Sequence, residues 1–499
     1  MKKVLKIILF LFICLSVCIF LSCSGDKNND KDTSDSVNNT GDRQDNESIQ
    51  KLDFKGETLS LNVSCNAADS GNTVTSDAYI TGPAEDSGEI VMDAVIKRNY
   101  KIEELLNLNV KYTLTDKVHD DVTSYIRTMI LAGIDEYDLY INDTLSLPVI
   151  VGEGLAENAM NGKYFDFSKP WWWSDFMANV TPNTNKQYYL IGDYFMDMLR
   201  QTHIILVNTD LFSKLYGDPN DLYKIVFDGK WTYDVMLSYV KDTYKDLNGS
   251  GKVEKDKDQF GLSTHGTGGS VIPHCTTTDV SFISRDSEGY PYFDVNMERA
   301  TYFLEKLIEL FYSPGTARFD NYPDWMDKFV NGEALFVNFI RIGHLENIRD
   351  MANNYGVLVY PKLDSLQENY KSIPHDTAEC GLIPVTCEKL DMLSAFLEAV
   401  NEETYKSVTP VYFETALKVK YARDDQTPHM LDIIKNSITS EFTCFSGEIM
   451  GTNATLSMTN MYPYLVSKKS SGLASRYEML YDSANAKLTD FIDSYKALN

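Results

Sequence analysis

The chain predicts an α/β protein with at least two lobes, and three observations carry that prediction. From Thr58 to Ile141, strand-like alternation and helix-like spacing take turns in the order strand, helix, strand, helix, strand. That order builds a largely parallel sheet with crossover helices. A second series opens at His203-Ile204-Ile205-Leu206-Val207-Asn208, an apolar run of the kind buried on both faces of a sheet. Finally, the chain has 499 residues, 43% of them hydrophobic and 12% aromatic, ample for a packed core and too long for one unit of the usual ~100–200 residues.

The first segment is a targeting one. Lys2, Lys3 and Lys6 precede an apolar core from Ile7 to Leu21, followed by Ser22-Cys23. This resembles a bacterial lipoprotein signal, so residues 1–22 are expected to be removed and Cys23, carrying acyl chains, to become the first residue. Phe20 and Leu21 stand where such signals usually have Leu and a small residue. The alternative reading of the same run is an uncleaved anchor, since about 20 apolar residues span a bilayer. Either way, the body is placed at the extracytoplasmic face of the cell membrane. Residues 23–55 are expected to be a disordered tether. Their stretch from Ser24 to Gln50 is nearly all Asp, Asn, Ser, Lys, Gly and Thr, which buries too little apolar area to offset the entropy of ordering.

The elements then follow in order. Thr58 to Val63 alternates as a half-buried strand, and Cys65 to Thr81 is small and polar, as a loop. Ile90–Leu108 has helical apolar spacing through Val91, Ala94, Val95, Ile102, Leu105 and Leu106. A strand at 110–114, a helix at 122–131 and a strand at 137–141 complete the first series. After the strand at 203–208 the pattern gives helices near 210–216 and 233–247, a strand at 259–263 and a long helix at 297–311. A strand at 334–338, a helix at 341–352 and a strand at 355–359 come next. The remainder is helix-rich, ending in a helix over about 472–498.

Composition excludes several function classes. With 46 basic against 72 acidic residues the formal charge is −26, which argues against nucleic acid as a partner, because phosphate binding needs basic patches. An anionic bilayer surface would also repel the body, leaving attachment to the lipid. Of the eight cysteines, Cys65, Cys275, Cys380, Cys387 and Cys444 remain beyond Cys23; they are odd in number, widely spaced and without a CxxC. They read as buried apolar side chains, with a single pair left open, rather than as a disulfide framework or, with seven scattered histidines, a zinc site.

Several local motifs occur in collinear order: Lys169-Pro170-Trp171-Trp172, Tyr188-Tyr189-Leu190-Ile191-Gly192-Asp193, Leu206-Val207-Asn208, Gly229-Lys230-Trp231-Thr232, Asp258-Gln259-Phe260-Gly261-Leu262 and Asn331-Gly332-Glu333-Ala334-Leu335-Phe336. Tyr355-Gly356-Val357 with Pro361-Lys362, and Val408-Thr409-Pro410 with Ala416-Leu417-Lys418, extend the series. Together they resemble the family 1 extracellular solute-binding proteins of ABC importers, over roughly Leu59 to Lys418. The resemblance implies a two-lobed periplasmic-binding-protein-like fold of type II, with hinged lobes, central mostly parallel sheets and a helix-rich C-terminal part. It places lobe 1 at 56–202 plus 328–379 and lobe 2 at 203–327 plus 380–499, with a ligand in the cleft between them. It also implies a monomer that needs no cofactor, captures a sugar or oligosaccharide and delivers it to permease subunits.

Ligands of open α/β sheets meet the loops at the carboxyl ends of strands, which points to Asn66, Asn142 with Asp143, His265 and Asn338 with Phe339. Amides, carboxylates and imidazoles there supply the paired donors and acceptors that sugar hydroxyls need, while aromatic faces cover the ring. Trp172, in the run Trp171-Trp172-Trp173, is a candidate for ligand stacking or else a ring clamping a lobe surface. Asp193 and Tyr194 lie at the expected cleft edge, Asp193 taking two hydroxyls or serving as a turn residue. Arg341 binds an acidic ligand or forms a salt bridge with this acidic body. Asp246, Asn248 and Ser250 form the front half of a calcium loop, D-x-N-x-S-G, whose twelfth position is Lys257 rather than Glu; a weak calcium site and a hydrated turn both fit. The competing functions are a secreted carbohydrate-active enzyme with paired carboxylates, for which no spacing singles out a pair, and a sensor or adhesin on the same fold.

Overall fold

A computed structural model describes residues 49–64, 77–83, 88–116, 119–144, 147–266, 268–321, 324–446 and 456–498. The signal, Cys23 and Asn66 lie outside them, as does most of the expected tether. The tether's last residues do not behave as a leash: Ile49–Lys51 forms a short 3-10 turn and Ile49 is buried in the core.

Two sheets organise the chain. The first contains β1 (Glu57–Ser64), β2 (Leu108–Thr115), β3 (Leu139–Asp143) and β11 (Glu379–Leu382) in the order β11-β3-β1-β2. β1 runs parallel to β2 and β3, and β11 antiparallel to β3. Alternation drives β1: Leu59, Leu61 and Val63 are fully buried and their neighbours face outward, apart from Asn62, whose amide donates to Thr115 Oγ1 at 2.8 Å. The second sheet contains β4 (His203–Asn208), β5 (Phe260–His265), β8 (Thr316–Phe319), β9 (Ala334–Arg341) and β10 (Tyr355–Leu358) in the order β10-β4-β9-β5-β8. β5 is parallel to β8 and β9, whereas β4 is antiparallel to β9 and β10. β6 (Ile283–Arg285) and β7 (Pro291–Phe293) make a separate hairpin.

This topology corrects the segment boundaries of the lobes. β9 and β10, assigned to lobe 1 within 328–379, pair with β4 in the second sheet, and β11, cut by the expected boundary between residues 379 and 380, closes the first sheet as a whole. The helix Leu390–Glu403 packs on Ile90–Leu106 of the first lobe as well. The local pattern of a strand is the same on either sheet, so only the pairing partner decides its lobe. Two smaller corrections concern local structure. Residues 77–81, expected as loop, form a short helix, and the helix expected over 341–352 shrinks to a 3-10 segment at Ile342–Glu346.

Helix ends follow capping rules. Asn208 accepts from Leu211 N at 2.8 Å and starts Thr209–Tyr216; Asn296 accepts from Arg299 N at 3.1 Å and starts Met297–Phe311. The latter buries Phe303, Leu304, Leu307, Leu310 and Phe311 on one face. Cys275, Cys380 and Cys444 are buried thiols as expected, and Cys387 is half-buried.

The lobes are joined by paired crossing segments. His203 N donates to Ile373 O and His375 N to Gln201 O, both at 2.9 Å, and Ser372 N donates to Ser437 O at 2.9 Å. The long helix Leu473–Ala497 contacts Met297–Phe311 and β7 on the second lobe and Leu147–Gly152 on the first.

Candidate functional site

The carboxyl ends of β5 and β9, the amino end of β4 and the crossing segment 373–376 meet around Phe339. Its ring is stacked against His203 (centroids 5.7 Å apart, 19° between planes) on one hand and His265 (5.7 Å, 24°) on the other. Its backbone has φ +57°, in the left-handed region that a bulky residue rarely adopts. The β4–β9 register slips between Ile204 and Leu206, opposite Asn338-Phe339, so the strain sits in a bulge that re-aims the side chain. Phe339 N donates to Tyr360 Oη at 3.2 Å, which holds the bulge.

A narrow crevice of only about 10 Å3, room for about one water, adjoins this ring; His203, Gly269, Ile272, His375, Asp376 and Phe445 are among its lining residues. Burial, helped by the neighbouring His375 and Arg341, keeps His203 neutral by pushing its pKa well below the ordinary value. His203 Nδ1 and His265 Nδ1 are buried without a hydrogen-bond partner among the described residues. His375 Nδ1 lies 2.7 Å from Asp376 Oδ1. Asp376 O in turn accepts from Thr144 Oγ1 at 2.8 Å, and Ala378 O accepts from Thr144 N at 3.0 Å. The end of β3 on the first lobe is thereby tied to the segment that carries the second lobe's pocket wall.

The expected site residues divide accordingly. His265 and Asn338 reach the Phe339 bulge; Asn338 is fully buried, its amide nitrogen 2.8 Å from His274 Nε2. Asn142 and Asp143 end β3, opposite Cys380 and Glu379, and the Asn142 amide nitrogen has no hydrogen-bond partner among the described residues. Arg341 closes β9 but spends Nη1 on Gln201 Oε1 at 2.7 Å, so it fastens a crossing segment.

Trp172, Asp193 and Tyr194 do not reach the pocket. Trp172 is buried, its ring packs against Phe165 and Phe167, and Nε1 donates to Glu398 Oε2 at 2.9 Å; this is the clamp, not the stacking surface. Trp171 Nε1 donates to the other oxygen of the same carboxylate at 2.8 Å. Burial raises the Glu398 pKa to about 7 against these hydrogen bonds. Asp193 accepts from Trp173 Nε1 at 3.1 Å and Thr409 Oγ1 at 2.9 Å, and burial raises its pKa to about 6. Tyr194 is fully buried, its hydroxyl 3.2 Å from Tyr112 Oη. The tryptophan run and the Tyr188–Asp193 motif are thus one knot: Trp173 N donates to Ile191 O and Asp193 N to Trp171 O.

In the calcium-like loop, Asp246 accepts from Gly249 N at 2.7 Å and Gly251 N at 2.8 Å, and Asn248 Oδ1 accepts from Ser250 N at 2.9 Å. These oxygens accept backbone N–H groups of the turn itself. Among the described residues no group of three or more His, Cys, Asp or Glu is placed to hold a metal ion.

Sequence reading reached Phe339 as part of the strand-end pair Asn338-Phe339 without singling out its ring, and it missed His203, visible only as the first residue of a buried strand. It also missed Arg200, whose guanidinium lies 3.9 Å from the Tyr79 ring centroid and 3.7 Å from Glu346 Oε1, linking the first lobe, a crossing segment and the second lobe.

Two lobes built on mixed sheets, joined by crossing segments and with a bulged pocket at their junction, define a two-lobed periplasmic-binding-protein-like fold. Solved structures share it. One is the galacto-N-biose/lacto-N-biose I-binding protein of an ABC transporter from Bifidobacterium longum in complex with lacto-N-biose; it is 13% identical, with TM-score 0.53, over 89% of this chain and 99% of that one. A second is a cyclo/maltodextrin-binding protein complexed with maltotetraose, at 12% identity and TM-score 0.52 over 89% and 98%. A third is a family 1 extracellular solute-binding protein from Alicyclobacillus acidocaldarius, at 8% identity and TM-score 0.51 over 87% and 99%. No protein-family model matches the sequence, and no curated protein matches it.

Proposed function

We propose that this protein is a lipid-anchored, extracytoplasmic substrate-binding subunit that captures a carbohydrate between its lobes and hands it unaltered to an ABC importer. The observation that carries the reading is the Phe339 bulge. A strained aromatic ring is flanked by two imidazoles whose buried nitrogens have no partner among the described residues, His203 Nδ1 and His265 Nδ1. A sugar ring asks for that combination of an apolar face and unspent donors and acceptors. Backbone strain kept at such a place fits a binding role, because the surrounding structure must over-determine it.

Carbohydrate ligands in the structures of like fold support the class of solute, and the ABC transporter of the Bifidobacterium protein supports the destination. Attachment rests on Cys23 and the apolar run before it; no described helix is long and apolar enough to cross a membrane. The working form is a monomer without a catalytic residue. Titration calorimetry with a panel of oligosaccharides is the test: saturable heat with the sugar recovered intact is expected, and turnover of the sugar, or no heat with any of them, overturns the reading. Cys23→Ala is expected to leave the protein unlipidated, read by incorporation of labelled acyl lipid.

A further inference from the structure

His274 lies behind the Phe339 bulge, on the short helix Ile272–Thr276, and its side chain is fully buried. A buried imidazole is costly to hold unless its ring nitrogens find partners inside the protein. Here both do. Nδ1 lies 2.6 Å from Tyr233 Oη, at the start of the helix Tyr233–Thr243, and Nε2 lies 2.8 Å from the Asn338 amide nitrogen on β9. Nε2 therefore accepts from Asn338, and Nδ1 carries the ring proton and donates it to Tyr233. Burial pushes the pKa of His274 down to about 3, so the ring is neutral at ordinary pH.

Two of the groups that hold Phe339 are attached to this ring. Asn338 directly precedes Phe339, and among the described residues its side chain makes no hydrogen bond other than that to His274, since Oδ1 is buried without a partner. Tyr360, whose hydroxyl accepts from Phe339 N at 3.2 Å, sets its own ring edge-on to the imidazole, with centroids 4.9 Å apart and 77° between planes. Phe311 meets the same imidazole edge-on at 5.7 Å. The turn that leads into the helix reaches the tip of the Phe339 ring as well: a Cβ on Gly269 would stand 2.9 Å from Phe339 Cζ. A left-handed backbone at a residue such as Phe339 persists only where its surroundings over-determine it, and His274 joins the groups that do so.

We propose that His274 is a positioning residue of the ligand site, which through its hydrogen bond to Asn338 holds the Phe339 bulge and so sets the affinity for sugar. The proposal rests on the reading of Phe339 as the ring that meets the ligand. His274 has no exposed surface and acts only through Asn338.

Two substitutions separate the two ends of the imidazole. A glutamine amide reaches the place of Nε2 and keeps a partner for Asn338, whereas an asparagine amide stops at the place of Nδ1 and keeps only Tyr233. The probes are oligosaccharides that the wild type binds, beginning with maltotetraose and lacto-N-biose. His274→Asn is expected to weaken their binding by about fivefold or more in calorimetry. It is also expected to speed hydrogen exchange of the Phe339 amide by about tenfold or more, read by mass spectrometry of the peptide around it. His274→Gln is expected to rescue both. A residue that only filled the core would lower stability in the two variants alike and leave exchange at Phe339 unmoved. Should His274→Asn not fold, Asn338→Leu breaks the same contact from its other side and is expected to give the same two losses. Unchanged exchange at Phe339 in the folded variant overturns the proposal, as does unchanged affinity, or a loss in His274→Gln as large as in His274→Asn. If no oligosaccharide binds the wild type, the functional reading fails, and exchange at Phe339 still decides whether His274 positions the bulge.

Discussion

Phe339 concentrates the residue-scale argument. Holding a non-glycine residue at φ +57° costs on the order of 1–3 kcal/mol, offset by Tyr360 and the two stacked imidazoles. Replacing it with glycine removes both the strain and the ring. Phe339→Gly is therefore expected to keep thermal stability within a few degrees of wild type while sugar affinity falls about tenfold or more; a variant that binds normally would falsify the role of this ring. Glu398 behaves differently, because its carboxylate is the shared acceptor of two indole N–H groups. Glu398→Ala leaves both buried and unpaired, which costs about 1–3 kcal/mol for each group. Chemical denaturation followed by tryptophan fluorescence would show that loss, with ligand affinity of the folded fraction unchanged.

At the scale of elements, the contact between the Tyr188–Asp193 motif and the helix Leu390–Glu403 requires a glycine. A Cβ on Gly192 would stand 2.2 Å from Asn401 Oδ1 and 2.9 Å from the carbonyl oxygen of Trp171, and the carbonyl cannot swing away. Asn401 Oδ1 meanwhile accepts from Tyr194 N at 2.8 Å. Gly192→Ala is expected to destabilise by about 1–3 kcal/mol through overpacking, seen as a shifted denaturation midpoint with an unchanged slope. The C-terminal helix makes the second argument at this scale. Phe491 packs against Leu147–Gly152 of the first lobe while the same helix rests on Met297–Phe311 of the second. Shortening Phe491 to alanine should cost about 3–5 kcal/mol if the site cannot collapse.

For the whole molecule, two buried carboxyl groups set a pH dependence. Glu398 titrates at about 7 and Asp193 at about 6 in the folded protein, both raised by burial above their ordinary values. The folded state therefore binds protons that the unfolded chain has already released, and the stability these groups contribute is full below the ordinary carboxylate range and lost as pH rises toward 7. The thermal midpoint is expected to fall from pH 5 to pH 8, and Glu398→Gln to flatten that fall; an identical slope in the variant would remove Glu398 as its source. The formal charge of −26 acts in the same direction through self-repulsion, which is why the variant, not the trend alone, is the informative measurement.

Strand alternation in β1, the continuous burial of β4 and the Asn caps of the helices at 209 and 297 are local consequences of residue type, so the α/β class and most element positions were legible in the amino-acid order. His265, Asn338, Asn142 and Asp143 were legible too as residues at strand ends, because ligands meet sheets there whatever the sequence. What the order alone left open was which strand pairs with which. β9 and β10 carry the same buried pattern whether they join the first sheet or the second, and only tertiary pairing put them beside β4 and sent β11 to β3. The same holds for Trp172, Asp193 and Tyr194: their chemistry suits a cleft, and the Glu398 helix turned them into core. Phe339 became the centre of the site through a one-residue register slip, a property of two strands together that neither strand encodes by itself.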